Sequence, residues 1–492
     1  MFSPWPRLIV VPRSTVRKDL FLSSSTTARP FRVAIVGSGP AGVYAADILT
    51  KSQEVAGGDV EVSIDIFESH PAPYGLIRYG VAPDHPRIKG IVNALHKVLD
   101  RGDIRFFGNV TYGRDLSLRD IRSFYDAVIF ATGAVKDAQL SIPGVELDGS
   151  YGGAEFVSWY DGHPDVSREW PLTAKEIAVI GNGNVALDVA RVLSKHAEDL
   201  LVTEIPDNVY EGLKASPVTD VHIFGRRGPA QVKFTPLELR ELSHSRDVDI
   251  ILYDEDFDFD EASDAAIRTN NQVKTIVKTF TNWLAEEHDE TRVPASRRLH
   301  LHFLHTPVEI IGTDGSVSAI KFERNELDGT GNARGTGEFV QYPVQAVYRA
   351  VGYFGSELPE VDFDAKHGVI PNDGGRVLGH DGAPVPGLYA TGWIKRGPVG
   401  LIGSTKGDAL ETIGCLLEDR AGLPVAEHPG EHGIVELLES RGVEYTTWEG
   451  WNKLDTHEQH LGATYVPEPG IEVVRERVKV VDRGQMVNIS NK

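Results

Sequence analysis

From residue 32 onward, short apolar runs alternate with stretches whose apolar positions recur at helical spacing, and glycines mark the junctions. "RVAIVGSGPAG" opens a first strand–turn–helix unit. "VSIDIFES" (62–69) reads as its second strand, with Val62, Ile64 and Ile66 alternating and Glu68 at the end. "DAVIFATGA" (126–134) is a third strand, ending in Thr-Gly. "EIAVIGNGNVALDVARVL" (176–193) starts a second unit, and "DVHIFGRRG" (220–228) supplies its later strand. Residues 254–300 are charge-rich and read as surface helices and loops. "QAVYRAVGY" (345–353) follows, and then "GLYATGWIKRGPVGLIGSTKGDAL" (387–410) returns to the strand–Thr-Gly–helix style of the first unit. Residues 430–492 hold few motifs, and "TTWEGWNKLD" (446–455) reads as packed surface. The pattern predicts an α/β fold in which a second strand–helix unit is inserted into a discontinuous first one.

Composition narrows the chemistry. The chain has 492 residues, enough for two or three domains, and no run approaches the ~18 apolar residues of a membrane-spanning helix. Its formal net charge of −21 argues against nucleic-acid binding, which needs a basic footprint. Cys415 is the sole cysteine, so an internal disulfide, a CxxC redox pair, a Cys-ligated iron–sulfur cluster and a CxxC-type zinc site are all excluded, and no metal is expected. Residues 1–30 carry Arg7, Arg13, Arg17, Lys18 and Arg29 against Asp19, with a Ser/Thr run at 23–27. That composition fits a mitochondrial transit peptide; the alternative is an extension upstream of a bacterial start, with a cytoplasmic protein.

The first glycine turn contains Gly37, Gly39 and Gly42 in the G-x-G-x-x-G spacing between a strand and a helix. The first glycine permits the tight turn, the second close approach to a pyrophosphate, and the third helix–strand contact. Glu68 follows on the next strand, where an acid binds a ribose hydroxyl; the insert at 51–61 accounts for its long spacing from Gly37. This site suits FAD or NAD.

The second turn has Gly181, Gly183 and Ala186, the G-x-G-x-x-A variant. Where the ribose-binding acid would fall, the chain has Arg226 and Arg227. Two guanidiniums bind a 2′-phosphate through charge-assisted bonds of roughly 1.5–3 kcal/mol each, so this site is expected to prefer NADP(H). An acid-type site paired with an arginine-type site suggests FAD plus NADPH.

Four long motifs then stand in order: "YGLIRYGVAPDHPRIKG" (74–90), "GNGNVALDVARVL" (181–193), "FGRRGPAQVKFTPLELREL" (224–242) and "ATGWIKRGPVGLIGSTKGDA" (390–409). Together they make the chain, from about residue 32, resemble the adrenodoxin-reductase-like ferredoxin–NADP+ reductases, the actinobacterial-type members most closely. The resemblance implies two Rossmann-like, glutathione-reductase-like domains: an FAD domain at 32–134 and 357–492, an NADP domain at 135–356, and an extension at 1–31. It implies FAD contacts at Ala41, Glu68, Leu76, Val110 to Tyr112, Trp393, Gly400, Leu401 and Ile402. NADP contacts are implied at Asn182, Gly183, Asn184, Val185, Arg226, Arg227 and Glu238, with Gly400 near the nicotinamide. The implied reaction passes a hydride from NADPH to flavin and then single electrons to a ferredoxin-type iron–sulfur protein.

His85 and Asp188 are implied to face each other across the domains, either aligning them or carrying a proton. Glu241 stands with them as a candidate catalytic carboxylate, its alternative being a solvated helix face. An acidic enzyme needs a local basic patch to meet an acidic ferredoxin. Lys274 and Lys278, at i,i+4 spacing, are candidates for that patch, with Arg297 and Arg298 nearby in sequence. Two other readings stay open here. One is an NADPH diaphorase acting on a quinone or small oxidant; the other is a flavin-binding scaffold without turnover.

Overall fold

The computed structural model describes residues 29–287, 293–400 and 402–492. Its first sheet has seven strands, in the order Asn372–Asp373, Arg376–Leu378, Pro384–Ala390, Ala127–Phe130, Phe31–Val36, Val62–Phe67 and Ile104–Phe107. The last five run parallel. The strands come from both ends of the chain. The second sheet is built from the middle: Ser150–Gly152, Ala346–Arg349, Glu176–Ile180, Asp220–Phe224, Arg297–His302 and Val248–Leu252, all parallel. Parallel strands are covered on both faces, which is why these read as nearly continuous apolar runs. Val33 to Ile35 and Ile177 to Val179 have no more than 1% exposure.

The chain passes between the sheets twice, near 135 and near 353. Lys136–Asp137 and Tyr353–Phe354 pair antiparallel, so the two passages are stitched to each other.

Three features depart from the sequence reading. Arg297–His302, expected as surface, is a strand with Leu299 and Leu301 at 1% exposure; its histidines and preceding arginines masked the buried alternation. Residues 305–343 form a three-stranded antiparallel sheet that the reading did not anticipate, with Ile310, Val317, Ile320 and Phe322 packed on Ala178, Ile180, Phe224 and Val347. Trp451, expected at the surface, is 2% exposed and packs edge-on against Tyr74, with the Arg78 guanidinium over its ring. The chain then leaves the Trp448–Ala463 helix and places Tyr465, Ile471 and Val473 on the core of the second sheet. It returns with the Arg483–Ser490 helix, which buries Met486 in the first core. The first strand also takes in Phe31, and Arg29 binds Asp126 just ahead of it.

Both glycine turns share one construction. Gly37 donates to Phe67 O, and a Cβ there would lie 2.5 Å from Ala131 O. Gly181 donates to Phe224 O, and a Cβ there would run into Ala350 O. Both have positive φ, at 108° and 144°. We therefore expect Gly181→Ala to lower stability by more than about 2 kcal/mol, combining left-handed strain with a backbone collision. Gly414→Ala, on an exposed helical position with nothing within 4 Å, is expected to raise it by up to about 1 kcal/mol. Thermal and urea unfolding of the two variants measure both.

Candidate functional site

Two of the four sequence motifs, 74–90 and 390–409, converge on the first turn. Gly75 (φ 51°) brings its backbone against Gly39, since a Cβ on Gly75 would lie 3.1 Å from Gly39 Cα. Gly392 (φ 76°) presses on Ala41 from the other side, a Cβ there reaching within 2.5 Å of Ala41 Cβ. Gly42 closes on Gly37 O, and the helix Pro40–Thr50 starts at this point with unsatisfied N–H groups directed out of its N-terminus. Glu68 lies buried below. Its Oε2 accepts from Ser38 N (2.9 Å) and Ser38 Oγ (2.8 Å), and its Oε1 from His70 N (3.1 Å), with His70 Nδ1 at 2.9 Å. Burial alone would raise its pKa, but His70 and Ser38 outweigh burial and pull it down to about 2. Leu76 and Tyr112 are half-buried and Val110 is buried; the Tyr112 hydroxyl donates to Pro359 O at 2.7 Å.

Around the second turn, Asn182 O accepts from Lys233 N (3.0 Å), and the Asn182 side chain packs where a Cβ on Gly225 would lie. Gly183 caps the helix Asn184–Ser194 and is open to its surroundings. Two buried oxygens of the second unit, Asn184 Oδ1 at this turn and Glu238 Oε2 on the Pro236–Leu242 helix, have no hydrogen-bond partner among the described residues. Orphaned polar atoms are costly in a folded protein, which makes these two positions candidates for ligand contact. Arg226 is exposed and Arg227 half-buried; neither guanidinium has a hydrogen bond or ion pair among the described residues. Val185, from this turn, and Trp393, from the first unit, pack on one cluster of Ala134, Ala154 and Tyr353. The Tyr353 and Trp393 rings stack at 6.3 Å. Gly400 (φ 83°) is exposed. Leu401 lies outside the described residues, as does the Ile402 side chain.

Between the units sits a buried polar cluster. His85 Nε2 is 2.8 Å from Asp188 Oδ1, and His85 Nδ1 is 2.6 Å from Glu241 Oε2. Arg191, with no exposed surface, grips Asp84 with two bonds of 2.8 Å and stands 3.0 Å from Asp188. Its Nη2 also lies 2.8 Å from His85 Nε2. One ring nitrogen cannot accept from Arg191 and donate to Asp188 together. Burial opposes a charge on His85, yet the Asp188 hydrogen bond and charge outweigh it, and the pKa is raised. When the ring is protonated, Nε2–H goes to Asp188, and the carboxylates of Asp84, Asp188 and Glu241 surround the Arg191 guanidinium. Burial pushes Glu241 upward as well, with His85 opposing. Glu241 is thus a member of the cluster, 27% exposed, rather than simply solvated.

The model of the family described as pyridine nucleotide-disulphide oxidoreductase matches residues 31–220. Full-length relatives extend the match. The NADPH-ferredoxin reductase FprA of Mycobacterium tuberculosis is 39% identical over 472 residues, covering 94% of this chain and 99% of that one. The mitochondrial NADPH:adrenodoxin oxidoreductase of Arabidopsis thaliana is 38% identical over 453 residues, covering 89% and 92%. The chain belongs to the NADPH-ferredoxin and adrenodoxin reductase family. A solved structure of M. tuberculosis FprA superposes with a TM-score of 0.85 at 38% identity, over 94% of this chain and all of that one. Another, of FprA in complex with NADPH, gives 0.84.

As a member of this reductase family, the chain shows which residues sequence reasoning missed. Asp84 and Arg191 complete the His85 cluster. The signals were present: Asp84 precedes His85, and Arg191 falls one turn after Asp188. The proposed basic patch shrinks. Arg298 is bound bidentately by Asp220 at 2.6 and 2.7 Å, and Arg297 donates to the carbonyls of Ser194 and Lys195. Lys274 and Lys278 remain exposed on the Asn271–Glu287 helix.

The raised His85 pKa has a sign that can be checked. Its contribution to stability is fully present below the unfolded value of about 6.5 and is lost as pH rises through the higher folded value. Histidine NMR titration is expected to place His85 above 6.5. In Asp188→Asn, where burial and Arg191 remain without the carboxylate charge, it should fall below the wild-type value. An unchanged titration would remove Asp188 as the cause.

Proposed function

We propose that this chain is an NADPH-dependent flavoprotein reductase that delivers electrons singly to a ferredoxin-type iron–sulfur protein. The observation that carries the reading is the pair of glycine turns, alike in backbone and opposite in the charge behind them. A buried Glu68 carboxylate stands behind the first, and behind the second are the Arg226 and Arg227 guanidiniums, which have no partner among the described residues. The relatives named as NADPH-ferredoxin and NADPH:adrenodoxin reductases support the substrate pair.

FAD fits the first turn. Gly39 and Gly75 leave a backbone-lined cradle, the Pro40–Thr50 helix offers N–H groups, and Thr132 Oγ1 is buried without a partner. We assign Gly37, Gly39, Ala41, Gly42, Glu68, Leu76, Val110, Tyr112, Trp393, Gly400, Leu401 and Ile402 to its holding. Bound FAD supplies the conversion of a two-electron hydride donor into a one-electron donor. Asn182, Gly183, Asn184, Val185 and Glu238 position the nicotinamide dinucleotide, and Arg226 and Arg227 hold its 2′-phosphate. His85, Asp188 and Glu241 keep a proton at the interface of the two units and fix their register. In this reading the FAD unit comprises 32–134 and 357–492 and the NADP unit 135–356. No helix of the described residues is long and apolar enough to cross a membrane. We place the protein in the bacterial cytoplasm, or in the mitochondrial matrix if residues 1–30 direct import. An import assay with and without that segment separates the two.

Removing both guanidiniums, Arg226→Ala with Arg227→Ala, is expected to raise the KM for NADPH by roughly 10- to 100-fold for each charge-assisted bond lost, with NADH turnover little changed. Retained preference for NADPH would refute the assignment. Lys274 and Lys278 lie on a helix without an acid between Asn271 and Ala285. Their reversal to Glu is expected to slow ferredoxin-dependent cytochrome reduction several-fold and to spare NADPH-to-ferricyanide turnover. A quinone reduced faster than any ferredoxin would favour a diaphorase instead.

A further inference from the structure

The Glu68 carboxylate behind the first turn is hydrogen-bonded by the protein to its full capacity. A carboxylate offers about four lone-pair sites, two on each oxygen. Oε2 spends both on Ser38, taking its N–H and its hydroxyl. Oε1 faces three donors: His70 N at 3.1 Å, His70 Nδ1 at 2.9 Å and Ser69 Oγ at 3.1 Å. A ribose hydroxyl that donates to Glu68 therefore takes the place of one of them. The backbone donors are fixed by the turn and by the strand end, and Ser38 has no exposed surface into which its hydroxyl could turn. The choice lies between Ser69 and His70.

His70 is boxed in. The His163 ring meets it edge-on at 4.6 Å, and the Tyr79 ring lies at 5.5 Å. Asp165 Oδ2 stands 3.8 Å from its Nε2. Asp165 is bound in turn by Arg483, from the Arg483–Ser490 helix, at 2.8 Å, and the same guanidinium donates to Ser69 O at 2.8 Å and to Asn109 Oδ1 at 2.7 Å. His163 and Asp165 follow the Gly153–Tyr160 helix, whose Phe156 and Trp159 lie in the core of the second sheet. The ring that holds the ribose acid is thus itself held from the second unit. Ser69 is half-buried, and its hydroxyl is free to rotate toward solvent. The carboxylate can only accept, so His70 Nδ1 carries the hydrogen, and the Ser69 oxygen, 3.3 Å from Nδ1, competes for it. We infer that His70 is the positioning residue for the contact between Glu68 and a ribose hydroxyl of FAD, and that Ser69 is the donor this hydroxyl displaces. The inference rests on the reading of the first turn as the FAD site.

The test is the affinity of the full chain for FAD, read from flavin fluorescence on reconstitution of the apoprotein, with circular dichroism as the check on folding. Ser69→Ala removes the competitor from both atoms and is expected to bind FAD a few-fold more tightly. His70→Phe keeps an aromatic ring in the box and is expected to lose roughly 10-fold or more, the worth of one hydrogen bond to a charged group. His70→Gln, whose amide can still donate, is expected to lose less. In a Glu68→Gln background the Ser69 and His70 substitutions are expected to have little effect, because they act through that carboxylate. Wild-type affinity in folded His70→Phe, no tightening in Ser69→Ala, or undiminished effects in the Glu68→Gln background would overturn the inference and leave the FAD site standing. If His70→Phe does not fold, Ser69→Ala decides alone, since tightening follows only from competition. Wild-type affinity in Glu68→Gln would overturn the reading of the first turn itself, and this inference with it.

Discussion

Arg191 is a guanidinium with no access to water, placed on the helix that leaves the second glycine turn. Such a group is tolerable only with its charge matched, and Asp84 and Asp188 match it. Asp84 belongs to the segment that also forms the rim of the first turn. The match therefore requires that the two units meet in one register. Breaking a buried pair leaves an uncompensated charge, at a cost of about 3–5 kcal/mol, whereas a mis-set register would leave several. Lys479, Lys89, Asp161 and Glu204 repeat the arrangement beside it. Lys479 bridges from the C-terminal segment to Glu204 at 2.7 Å, and Lys89 does the same from the first unit. Val185 from the second unit and Trp393 from the first pack on a common apolar cluster.

Within that register, two turns of one backbone design serve different ends. Gly37 and Gly181 are fixed by the same contacts, a donated bond to the next strand and a carbonyl where a Cβ would go. In the proposed reading, selectivity comes from what the following strand delivers. Glu68 is held in its charged state by Ser38 and His70, and in the proposed reading that charge disfavours a 2′-phosphate. Arg226 and Arg227 have no partner among the described residues, and in the proposed reading they attract that phosphate. The electrostatic difference is local and needs no difference in fold.

What could be read from the sequence was what depends on local spacing. The glycine turns, the strands that feed them and the return of the first unit's pattern at 387–410 are such features. The His85–Asp188 pairing was legible only through family resemblance. Arg78 and Glu458, 380 residues apart, form a buried bidentate pair that no local pattern announces. The Arg297–His302 strand was misread because histidine counts as polar in a pattern, while here two of its histidines lie within the sheet stack. The antiparallel sheet at 305–343 does carry a signal, the alternation of "SVSAIKFERNEL", which lacks the glycine turns that mark the parallel units. Glu241 could be placed on a helix face but not against His85, since that contact joins two units.

The central claim is that one chain holds an electron-accepting flavin at the acid-backed turn and takes NADPH at the arginine-backed turn. Anaerobic titration of the purified chain, followed through its visible absorbance, tests this most directly. The account predicts a flavin spectrum that bleaches with about one equivalent of NADPH, and with NADH only at far higher concentration. A chain that refolds with FAD yet bleaches equally with both nucleotides, or one that binds no flavin, would contradict it.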